Sequence, residues 1–139
     1  MDNLILLRSY KYANIYRVAD DPTTLVVEAT ASYIPLERFK EIFEHIGELA
    51  AQSDTKKLIF DKRKLSVFHQ PSMEWYFVEW KEKMFDIGLR VHRKILPKDE
   101  IFRQSVRIGR NKIASRYPAS KFNLMDIAYA ESLEEAIEK

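Results

Sequence analysis

Hydrophobicity along this chain switches repeatedly between a period of two and a period of 3.6, and that alternation limits the fold more than any single motif does. "NIYRVA" and "TLVVEATA" are β-branched and aromatic runs divided by "DDPT", which reads as an antiparallel hairpin. In "PLERFKEIFEHIGELAAQ" the apolar residues Leu36, Phe39, Ile42, Phe43, Ile46, Leu49 and Ala50 fall three or four apart, which makes a helix with Pro35 tolerated in its first turn. "KKLIF" is a short apolar run of the kind covered on both faces in a parallel sheet. A helix from Ser72 as N-cap to Gly88 follows, and then a strand "VHRKIL" closed by Pro97.

In "DEIFRQSVRIGRNKIASRY" Phe102, Val106, Gly109, Ile113 and Tyr117 line one side of a further helix. An interior helix glycine costs about 1 kcal/mol relative to alanine, so Gly109 predicts a close approach to the sheet. "FNLMDIAYA" supplies the last strand, and Ser132 with Glu135 forms a capping box for "LEEAIEK". The order β-β-α-β-α-β-α-β-α predicts an α/β fold, a mixed sheet with right-handed crossovers and helices packed on it.

A length of 139 residues predicts one domain, residues 1–139, with one core. The 46% hydrophobic content, three glycines and five prolines speak for a globular chain without linkers. Cysteine is absent, which excludes disulfides, thiol nucleophiles and thiolate metal sites. The start, "MDNLILLRSY", has an acid where a signal peptide carries basic residues, and its apolar run is too short for membrane insertion, so a cytoplasmic location is expected. Net charge is only +2, yet Lys81 to Lys121 carries twelve Lys or Arg against four acids. That run reads first as a solvated face and second as a surface for an acidic partner or phosphate.

The longest loop beyond a strand end is "DKRKLSVFHQPS", the position at which open α/β sheets meet ligands and partners. The element order, the acid closing "LIFD", the aromatic helix after it and the ending "SLEEAIE" together resemble the SpoIIAA-like branch of the STAS superfamily, best known for anti-sigma-factor antagonists. The resemblance implies a non-enzymatic regulatory module without cofactor that binds a protein partner. It further implies a switch by phosphorylation of a serine at the start of the helix, the place Ser72 holds here, with Ser66 the other serine of the loop. Those antagonists carry an Asp-Ser-Ser-Gly type motif, whereas this longer loop has no glycine. The group also looks like the Sec14 lipid-binding fold, which implies a small apolar ligand as a rival occupant.

The candidate partner-binding or regulatory residues are Asp61, Arg63, Ser66, His69, Ser72 and Trp75. Asp61 reads as a loop cap accepting backbone N–H groups in preference to a catalytic base. His45, His69 and His92 lack metal-ligand spacing and sit in no nucleophile-histidine-acid motif, and no glycine-rich phosphate cradle appears, so neither an enzyme nor a metal site is expected. In "MEWYFVEWKEKMF" Met73, Tyr76, Phe77, Trp80 and Met84 form one stripe while Trp75, Val78 and Phe85 lie on another side. The second group predicts cover by the loop, a homodimer partner, another protein or an apolar ligand. Arg103, Arg107 and Arg110, backed by Arg93 and Lys94, form a basic patch without interleaved aromatics, so nucleic acid ranks last among the partners.

Overall fold

The computed structural model describes residues 3–139; the acidic start at Met1 and Asp2 lies outside them. Six strands form one mixed sheet in the order β1-β2-β3-β4-β5-β6: Leu4–Ser9, Ala13–Val18, Asp21–Ala29, Lys57–Asp61, Val91–Ile95 and Asp126–Ala130. The first three pair antiparallel and the last three add in parallel. The α/β class, the mixed sheet and the alternation after a hairpin are therefore as expected. β1 is an addition, because "LILLRS" does not alternate: Ile5, Leu6 and Leu7 are all exposed on an edge strand whose register shifts between Leu6 and Arg8.

Parallel strands added in sequence order by right-handed crossovers put their connecting helices on one face. That face carries α1 (Leu36–Ala51), the helical stretch of α2 (Gln70–Glu74), a π-helical turn (Trp75–Trp80) and α3 (Lys81–Asp86), and α4 (Glu100–Arg116). The short α5 (Leu133–Glu138) covers the opposite face, where Val18, Val26, Ile59 and Ile95 meet Leu133 and Ala136. The pleat divides β4 accordingly: Leu58 and Phe60 enter the larger core and Ile59 the smaller one.

Several boundaries differ from the sequence reading for local reasons. Pro35 stands just outside α1 as its N-cap. The helix after β4 begins at Gln70, two residues before Ser72, because the His69 side chain accepts the Ser72 N–H. Its stripe of Met73, Tyr76, Phe77, Trp80 and Met84 is buried as expected, and Gly88 ends it at φ 98°. The last strand starts at Asp126, since Lys121–Leu124 forms a 3-10 turn. Ser132 caps α5 by accepting the Glu135 N–H.

Gly109 does permit a close approach, but to the loop after β4 and not to the sheet. A Cβ there would lie 2.7 Å from the Phe68 ring and also strike the Gln70 amide. The basic run from Lys81 to Lys121 is no single solvated face either. Lys81 and Lys94 are fully buried in the larger core, and Arg93 turns to the α5 face, where it bonds the Asp126 carboxylate and the Lys139 carbonyl.

Candidate functional site

The loop from Lys62 to His69 leaves the end of β4 and folds back over the helix-covered face. Its first residue is held by the Lys62 N–H donating to the Ile95 carbonyl at 2.8 Å. Its middle is held where the Ser66 and Val67 N–H groups donate to the Ser32 carbonyl, in the connection between β3 and α1. Its end is the His69 cap, whose Nδ1 accepts the Ser72 N–H at 3.3 Å and pairs with the Ser72 hydroxyl at 2.8 Å. Under this arch lies a cavity of about 50 Å³, walled by Phe39, Phe60, Phe68, Phe102 and Met73, with Lys62, Ser72 and Tyr76 as its buried polar residues and His69 and Tyr33 half-buried beside them.

The alternation of side chains splits the residues that the sequence placed together. Asp61 points to the α5 face, away from the cavity. There it accepts the Arg63 N–H at 3.1 Å and both Nε and Nη2 of the same arginine at 3.0 and 2.7 Å, so it is a loop cap reinforced by a forked ion pair. Ser66 is exposed, while Ser72 is buried with its hydroxyl against His69. Trp75 and Val78 are half-buried against the chain's own core, Trp75 edge-on to Phe39 at 6.1 Å. Phe85 lies under the Arg90 guanidinium at 4.0 Å. The second side of the aromatic helix thus finds much of its cover within its own chain.

Arg103, Arg107 and Arg110 line an open groove beside Tyr129 and Glu131. Arg103 is engaged by the Pro97 carbonyl and Glu131, and Arg110 donates to the Tyr129 hydroxyl. Only Arg107 of the three extends freely to solvent among the described residues; Arg93 turns away to the α5 face, and Lys94 is buried, where it feels the charge of Arg110.

The sequence reading missed the polar cluster beneath the cavity floor. The π-helical turn packs an extra residue into the helix, and the buried side presents Tyr76, Phe77, Trp80, Lys81 and Met84 together. Lys81 Nζ stands 3.7 Å from the Phe77 ring centre and 4.6 Å from that of Tyr76. Lys94 Nζ, from β5, stands 4.2 and 5.2 Å from the same two rings. His92 is buried beside them, edge-on to Trp80. Among the described residues the two amines have only each other, His92 only the Leu89 backbone, and the Tyr76 hydroxyl no hydrogen-bond partner.

Burial dominates the ionisation of these groups. It lowers Lys62 to about 8. It holds Lys81 well below the ordinary lysine range, helped by the charges of Lys62 and Arg110, and does the same to Lys94, helped first by Lys81. His92 is held below its usual range by burial and then by Lys81 and Lys94. The Tyr76 phenol is pushed upward by burial, so it keeps its proton. Among the described residues no carboxylate contributes to the surroundings of Lys62, Lys81 or Lys94. The signal was present in the letters as two cations, Lys81 inside an apolar stripe and Lys94 at an inward position of a covered strand.

No helix among the described residues is long and apolar enough to cross a membrane. No family model matches the chain, and no curated protein or solved structure matches it.

Proposed function

We propose that the chain is a non-enzymatic regulatory module of the STAS, SpoIIAA-like type that senses or carries a small, largely apolar ligand held beneath the 62–69 loop. The observation that carries this reading is the cavity itself: aromatic walls flank the buried Lys62 side chain, for which no counter-charge is found among the described residues. A buried cation beside an apolar cavity and without a counter-charge marks a place for a guest. The element order after the hairpin supports the STAS-like reading.

Partner docking enters as the readout of the ligand. The outer side of the same arch exposes Val67, 48% accessible, beside the cations Arg63 and Lys64 and the hydroxyl of Ser66. A ligand that tightens or lifts the arch changes what this surface offers to an acidic protein partner, and a phosphate on Ser66 would neutralise its local positive charge. Ligand-observed NMR against a panel of small neutral and charged organic fragments, combined with amide exchange of residues 62–72, tests the reading. Saturation transfer to fragments with a short hydrocarbon and slowed exchange of the arch are expected. Absence of any binder together with unchanged exchange overturns it.

A further inference from the structure

The charges around the cavity are of one sign. Lys62 is more than nine-tenths buried, its ammonium 4.8 Å from the Phe60 ring centre in the cavity wall. Tyr76 lines the same cavity, and Lys81 and Lys94 stand over its ring. Arg110 adds to the positive field that both lysines feel. The nearest strand-end acid, Asp61, is turned to the other face and occupied by Arg63. Glu74, on the helix above, is bonded to Arg116. A buried cation such as Lys62, with no counter-charge among the described residues, is complementary to an anion.

The walls restrict which anion fits. A phosphate dianion needs several cations or donors around its oxygens, whereas this cavity offers one cation, Lys62; its Ser72 hydroxyl is already paired with His69, and Tyr33 completes the polar lining. A monocarboxylate brings one charge for that one cation and a hydrocarbon for the walls. Size narrows the class again: a cavity of roughly 150 Å³ holds a benzene ring, so about 50 Å³ suits a guest of only a few heavy atoms.

Resting on the proposed function above, we propose that the cavity beneath the 62–69 loop binds a short-chain monocarboxylic acid, its carboxylate on Lys62 Nζ and its hydrocarbon against Phe39, Phe68 and Phe102. Lys81 and Lys94 touch no part of this guest; they lie close enough to Lys62 to feel its charge. A longer acyl chain would have to displace Phe68 and with it the arch, so affinity peaks among acids of two to about four carbons.

The test compares butyrate with butyramide, which has the same shape and no charge, by NMR titration of the isotope-labelled full chain at pH 7 and constant ionic strength. Butyrate is expected to bind at least tenfold more tightly, with the largest shifts at amides 62–69 and around Tyr76. Lys62→Met, which removes the cation while keeping an unbranched side chain, should bring the two affinities within about twofold of each other. Equal binding of butyrate and butyramide to the unaltered chain overturns the carboxylate assignment and leaves the apolar-ligand reading standing. Acid preference that survives in Lys62→Met, or shifts centred away from the loop, overturns the site. Failure of both compounds to bind overturns the inference and the reading beneath it together.

Discussion

Replacing Lys62 by methionine should stabilise the protein, by an amount that changes with pH in a calculable way. In the folded chain Lys62 titrates at about 8, against an ordinary value of 10.5. Below pH 8 the group is protonated in both states, and the folded state carries the full penalty of a buried charge. Between 8 and 10.5 the unfolded chain holds the extra proton, so stability rises with pH by about 1.4 kcal/mol per pH unit. The gap from 8 to 10.5 therefore corresponds to about 3 kcal/mol of destabilisation at pH 7, falling to about 1.4 kcal/mol at pH 9.5. Lys62→Met removes this term, so urea unfolding should show the variant more stable by about 3 kcal/mol at pH 7 and by about half that at pH 9.5. Lys81 and Lys94 remain in the variant and keep a residual rise of stability with pH. Tyr76 acts in the opposite direction, because above about pH 10 the unfolded chain loses the phenol proton that the folded chain keeps, so measurements belong below that point. A variant no more stable than the parent at pH 7, or a difference independent of pH, refutes the reasoning.

Gly109→Ala gains about 1 kcal/mol of helix propensity but drives a methyl group into Phe68, so a net loss of about 1–2 kcal/mol in urea unfolding is expected, with faster amide exchange in the arch. His69→Ala removes the cap of α2 and the partner of the Ser72 hydroxyl and should cost about 1–2 kcal/mol, measured the same way.

The architecture was legible wherever one face of an element is apolar and the other wet, as in α1, whose spacing repeats every three or four residues along its length. β1 escaped notice because its apolar residues are exposed instead of alternating, so no period marks it. Asp61 was legible as a cap because Asp two residues before a turn N–H is a local pattern. Its separation from His69 and Ser72 was not, since that depends on which face of β4 each residue follows. Lys81 and Lys94 were counted as surface charge on the general rule that lysine faces water. What placed them inside is tertiary: a π-helical turn on one side and the pleat of a covered strand on the other. Ser72 looked like an N-cap and is instead the residue capped, because the histidine three positions earlier accepts its N–H.

The most direct measurement is a pH titration of individual lysine side chains by Cε–Nζ correlation NMR on the labelled chain, without and with butyrate. An uncompensated buried cluster at a site for a carboxylate requires Lys62 to titrate near 8 when free and higher when butyrate is bound, with Lys81 and Lys94 below the ordinary 10.5. All three lysines titrating at or above that ordinary value, unmoved by the acid, would contradict it.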